Sequence, residues 1–168
     1  MESRRILHRI RFLLIVFTVA LALSGLTAFP LAWETAVLDS WLGQGTAVEA
    51  YSPALAQWIS RVHPALSETY AKYPFIAYGT DWLAFAHIVI AIAFLGPIRD
   101  PVKNRWVIEF GMIACVLVIP LALICGPLRG IPLYWRVIDC SFGVLGVVPL
   151  WLARRYTLRL EKLTSGEA

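Results

Sequence analysis

Apolar residues gather along this chain into four long runs, roughly residues 12–33, 81–98, 106–128 and 133–152, with few ionisable side chains inside them. A helix rises about 1.5 Å per residue, so about 20 residues cross a hydrocarbon core about 30 Å thick. Lipid offers the backbone no hydrogen-bonding partners, which restricts spanning structures to helices and closed barrels. The pattern therefore predicts an all-α membrane protein: a four-helix transmembrane bundle forming a single domain over residues 1–168. Hydrophobic residues make up 59% of the 168 and charged ones only 15%. A soluble domain carries about a quarter charged residues, so no room is left for a separate soluble catalytic domain.

The long connection, residues 34–80, has a pattern of its own. Val37, Leu38, Trp41 and Leu42 keep helical spacing and stop at Gly43, a favourable helix end. Ser52-Pro53 reads as an N-cap followed by proline at the first helical position. Leu55, Trp58, Ile59, Val62, Leu66 and Tyr70 then recur at helical intervals, with Pro64 expected to kink or split the segment. Trp41, Tyr51, Trp58, Tyr70, Tyr73 and Tyr78 favour the headgroup level. One or two interfacial helices on the outer surface are expected. The proline- and glycine-rich segments 96–101 and 126–132 predict tight turns between antiparallel neighbours.

The net charge of +4 takes its meaning from where the basic residues lie. Arg4, Arg5, Arg9 and Arg11 precede the first run; Arg99, Lys103 and Arg105 separate the second from the third; Arg154, Arg155, Arg159 and Lys162 follow the fourth. Only Arg61, Lys72, Arg129 and Arg136 fall on the other side, the first two in the long loop. The positive-inside rule then puts both termini in the cytoplasm of a multi-pass protein of a bacterial cytoplasmic (inner) membrane. This distribution excludes nucleic acid as the partner. The run at residues 12–28 is longer than a signal-peptide core of about 7–15 residues and no small-x-small site follows, so it reads as a retained helix. Cys115, Cys125 and Cys140 lie within the runs and form no CxxC pair; they read as buried thiols.

Charge within lipid is expensive, which makes Asp81, His87, Arg136 and Asp139 the candidate site residues. Arg136 and Asp139 are three apart, share a face and can pair; Gly143 and Gly146 continue that face, as small residues do where membrane helices meet. The pair reads either as a buried fastener or as a ligand's polar contacts. His87 lies on the face of Ala84 and Ala91, where it can bond a neighbouring helix or transfer a proton. Asp81 follows Gly79-Thr80, where it reads as capping a helix start. All four fall in the outer halves of their helices, in one expected layer. Glu109 has Arg105 four residues earlier as an interfacial partner. Pro120 is expected to kink the third span. No metal or other cofactor is expected: no second histidine lies within any span, and only a dimer could supply two imidazoles to haem. No acidic residue lies inside the first run, unlike in small multidrug exporters.

Residues 23–30 (LSGLTAFP), 78–87 (YGTDWLAFAH), 99–101 (RDP) and 135–141 (WRVIDCS) resemble segments of uncharacterised bacterial four-span membrane proteins with no assigned activity. The resemblance covers nearly the whole chain and implies membrane residence without a mechanism. In helix number and long first outer loop the chain is also similar to four-helix proteins of the sterol-isomerase and sigma-2-receptor type, which place acidic residues in a lipid-accessible pocket; no motif matches residue by residue. Three functions are compatible with this reading. One is an outward-facing polar intramembrane pocket for a lipid-like or amphipathic small molecule. The second is a non-catalytic subunit or assembly factor of a homo-oligomer or membrane complex. The third is a small enzyme using His87 and Asp139 as acid and base.

Overall fold

The computed structural model describes residues 2–166; residues 1, 167 and 168, included in the expected domain, lie outside the described residues. The fold is all-α, and among the described residues four helices are long and apolar enough to cross a membrane. In chain order the elements are α1 (Glu2–Ala28), α2 (Leu31–Leu42), α3 (Ala47–Tyr51), α4 (Pro53–Lys72), a 3₁₀ turn (Pro74–Ile76), α5 (Ala77–Ala93), α6 (Leu95–Arg99), α7 (Arg105–Leu128) and α8 (Leu133–Ser165). They form two compact units: Met1–Ala20 with Ile90–Ala168, and Leu21–Val89.

The first unit is built on α7 and α8 with the opening turns of α1. Its core joins Ile6, Ile10 and Leu14 of α1 to Phe94, to Ile108 of α7 and to Leu150, Ala153 and Leu160 of α8. The rings of Phe17 and Phe94 tilt together with centroids 4.9 Å apart. Here α1 and α8 outrun the apolar stretches. Helix α8 continues to Ser165, a length of about 50 Å at the usual rise, well beyond a hydrocarbon core. Its last turns are amphipathic, with Ala153, Thr157 and Leu160 buried and Arg155 and Arg159 exposed. Packing of that buried stripe, and not hydropathy, carries the helix past Leu152. Elsewhere apolar side chains stay uncovered; Leu117, Leu121 and Ile124 of α7 are all more than half exposed. A surface of this kind suits lipid as solvent. Helix α7 runs unbroken through Pro120, as α8 does through Pro149.

Charged groups tie this end together. Arg105 pairs with Glu109 as the spacing predicts, at 3.7 Å, but closer bonds come from α8: Arg154 Nε donates to Glu109 at 2.8 Å and Arg105 Nη1 to Glu161 at 2.9 Å. Arg159 pairs with Glu2. Arg11 donates from Nε to the Ile98 carbonyl at 3.0 Å and from Nη2 to that of Arg99 at 3.3 Å, satisfying the end of α6. The expected turn at 96–101 is thus partly this short helix, closed by Asn104 Nδ2 on the Asp100 carbonyl at 2.9 Å. Glu109→Gln removes the charge shared by two guanidinium groups. Because these side chains are 27–40% exposed, the expected loss is about 1 kcal/mol, read as a lower melting temperature in mild detergent. About 1 M salt should abolish the difference from wild type.

In the second unit the chain turns at Phe29-Pro30, where Phe29 N donates to the Leu26 carbonyl. The first apolar run, expected to reach Trp33, therefore ends at Ala28, since the residue before a proline disfavours helix. Helix α2 stops at Gly43 as expected. It is latched to α4 by Ser60 Oγ, which donates to Asp39 Oδ1 and accepts from Gln44 N at 2.9 Å. His63 Nδ1 of α4 lies 3.5 Å from Thr35 Oγ1 and 3.4 Å from Ser67 Oγ. Pro53 opens α4 as expected, although Ser52 makes no side-chain capping bond. Pro64 does not split α4: one lost backbone bond in a 20-residue helix is outweighed by its neighbours and by burial of Ala56 and Ile59.

Candidate functional site

Arg136 and Asp139 stand on the first turns of α8, and the turn before it sets their place. Gly130 takes a positive φ of 68°, Ile131 N donates to the Gly126 carbonyl at 2.9 Å and Gly130 N to that of Pro127 at 3.1 Å. This is a Schellman closure, with glycine at the left-handed position. It folds α8 back onto α7 so that the Arg136 stem lies on Gly126; a Cβ at residue 126 would overlap Arg136 Cδ. One face further along, Gly143 meets the Cys115 carbonyl and Gly146 the Cys115 sulfur. The small-residue face of α8 is therefore where α7 approaches.

The expected Arg136–Asp139 ion pair does not form; the ion pairs among the described residues lie elsewhere. Arg136 is spent on Gly126, across the helix boundary, and does not reach along its own helix to Asp139. Its Nε is buried and bonded to nothing. Asp139 is half-buried one turn on. An arginine and a carboxyl group thus share a helix face without bonding each other.

Asp81 and His87 belong to the second unit. Asp81 is not a helix cap: the 3₁₀ turn at Pro74 feeds directly into α5, which begins at Ala77, so Asp81 sits in its second turn. Thr80 Oγ1 donates to the Ala77 carbonyl at 2.7 Å and lies 3.2 Å from the Tyr70 hydroxyl. His87 bonds its own helix, with Nδ1 2.8 Å from the Leu83 carbonyl, where a bond to a neighbouring helix was one expectation. An Nδ1–H donor there leaves Nε2 as the acceptor. The Ala84/His87 face is the close-packed one: a Cβ on Gly25 of α1 would lie 2.7 Å from His87 Cβ and 2.9 Å from the Ala84 carbonyl oxygen. No group of three His, Cys, Asp or Glu side chains among the described residues is placed to hold a metal.

Two open grooves lie in the first unit, beside the opening turns of α1 and the last turns of α8. One, about 460 Å³, is edged by Arg4, Arg99 and Thr164; the other, about 360 Å³, lies between α1 and α8. None of the four candidate residues lines either groove. Sequence reasoning missed the Glu109–Arg154 and Arg105–Glu161 bonds, whose only signal was the shared position of these residues at the terminal end.

Fold and composition together define a multi-pass integral membrane protein. No protein-family model matches the chain, and no curated protein or solved structure is significantly similar to it.

Proposed function

We propose that this is a bacterial cytoplasmic-membrane protein that binds a lipid-like or amphipathic small molecule through Arg136 and Asp139. One observation supports the reading above the others: Arg136 holds a buried, unbonded Nε one turn from a carboxylate with which it does not pair. An unsatisfied buried donor is destabilising by about 1–3 kcal/mol, and such groups persist where a bound partner completes them. The molecule that fits carries an acceptor or anion for Arg136, a donor for Asp139, and an apolar body for the exposed Val137, Ile138 and Phe142 nearby. Native mass spectrometry of the protein released from mild detergent tests this. A retained small molecule, lost from Arg136→Met, is the expected result. Retention of another protein chain in its place would favour the subunit reading, and an identical spectrum for Arg136→Met would remove Arg136 from the site.

The basic residues around both chain ends support a cytoplasmic location for both termini. In a variant lacking Cys115, Cys125 and Cys140, an impermeant thiol reagent applied to intact cells is expected to label Gln57→Cys and to spare Ser165→Cys. The reverse pattern would invert the topology.

A further inference from the structure

The groove between α1 and α8 changes character along its length. On one side are His8, Arg9 and Tyr156; on the other are Phe12, Leu13 and Leu152. That change falls at the border of both helices' apolar runs, since Arg9 and Arg11 precede Phe12 on α1 and Arg154 and Arg155 follow Leu152 on α8. A helix pair crossing a membrane meets phosphate groups at this level and acyl chains just below it.

The charges in the neighbourhood are not balanced. Residues 2–11, 99–109 and 154–162 hold eleven Arg or Lys against four Asp or Glu. Three of the four carboxylates, Glu2, Glu109 and Glu161, are engaged by Arg159, Arg105 and Arg154. Arg9 is exposed and has no carboxylate partner among the described residues; its guanidinium stands 6.0 Å from the centre of the Tyr156 ring. The ring supports the cation from one side and leaves its N–H groups available to an anion. His8 Nδ1 is taken up by the Arg4 carbonyl at 2.7 Å, which fixes the imidazole beside it. Phe12, 68% exposed, offers an uncovered apolar wall directly below.

We propose that this groove is a binding site for an anionic phospholipid, its phosphate held by Arg9 beside Tyr156 and its acyl chain lying along Phe12, Leu13 and Leu152. Its volume is at the lower end for small-molecule sites, which suits a headgroup and the upper part of one chain. The site shares no residue with Arg136 and Asp139, so the two proposals stand or fall separately.

The test uses the full-length protein, delipidated in mild detergent and mixed with phosphatidylglycerol or phosphatidylcholine, with retained lipid read by native mass spectrometry. Wild type should retain phosphatidylglycerol in preference to phosphatidylcholine. Arg9→Gln should weaken phosphatidylglycerol retention about fivefold, the contribution of one cation near an anionic surface, and phosphatidylcholine retention by less, because the choline ammonium offsets the charge of its phosphate. Phe12→Gln, also at an exposed position, should weaken both lipids. Lys103→Gln removes the same charge outside the groove and should leave retention within about twofold. Arg9→Gln equal to wild type would overturn the site. So would an equal loss in Lys103→Gln, which would show diffuse attraction. Displacement of the lipid by inorganic phosphate at equal concentration, or indifference to Phe12→Gln, would overturn the lipid as occupant.

Discussion

Gly143→Leu is expected to separate α7 from α8 and to prevent recovery of a monodisperse protein in detergent, while Gly143→Ala should fold with a markedly lower melting temperature. The Cβ of either residue would overlap the backbone carbonyl of Cys115, which belongs to a helix and cannot rotate aside as a side chain would. Overpacking of this kind destabilises by about 1–3 kcal/mol and occasionally more; a backbone obstacle places Gly143→Ala at the upper end. The loss spreads, because Gly146 rests on the sulfur of the same Cys115 and on Phe17. Lipid tails are as apolar as the helices, so close contact supplies much of the association energy within the membrane, and a gap of one methyl group removes it over several turns. Gly79→Ala is the matched comparison. Nothing lies within 4 Å of a Cβ there, the position is inside α5, and alanine should stabilise by about 0.5–1 kcal/mol through helix propensity. Melting followed by tryptophan fluorescence would separate the two. A Gly143→Ala protein as stable as wild type would mean that α7 and α8 do not pack through this face.

Composition made the four apolar helices legible because lipid tolerates so few alternatives. The ends of those helices were harder to read. Helix α8 outlives its apolar run since Leu150, Ala153, Thr157 and Leu160 keep a buried stripe after hydropathy has fallen; their spacing of three and four was a signal, masked by the arginines between them. Pro53 marked a boundary correctly through its own backbone geometry; Gly43 did so through space, since its extended backbone is open to any residue but a Cβ there would overlap Asp39 and Ser60. Gly79-Thr80 misled because α5 inherits its start from Pro74, an influence that passes along the chain before any cap is needed. The candidate site was legible only in part. Spacing within α8 placed Arg136 and Asp139 on one face, but whether they pair depends on Gly126 of α7, whose missing side chain opens a competing path for the arginine stem. No single-helix rule carries that information. For His87 the face was legible and the bonding partner was not, since an imidazole can return to the carbonyl four residues back as readily as it crosses to a neighbour.

Arg136→Met is expected to raise the thermal stability of the ligand-free protein, an outcome opposite to that of breaking a salt bridge. Methionine keeps an unbranched stem over Gly126 and removes the buried Nε that has no partner. Relief of one stranded donor is worth about 1 kcal/mol at the low end of the usual range, or about 2–4 °C in a chain of this size; groups in membranes adapt enough to keep the gain modest. Asp139→Asn should change little, and the double variant should equal the sum of the singles within about 0.5 kcal/mol, because no ion pair links the two side chains. The same Arg136→Met protein should lose its response to the bound small molecule, so that stability and binding move in opposite directions, as they do where a site is held unsatisfied for its ligand. If Arg136→Met instead lowers the melting temperature and Asp139→Asn restores part of it, the two charges are a fastener and the binding proposal fails.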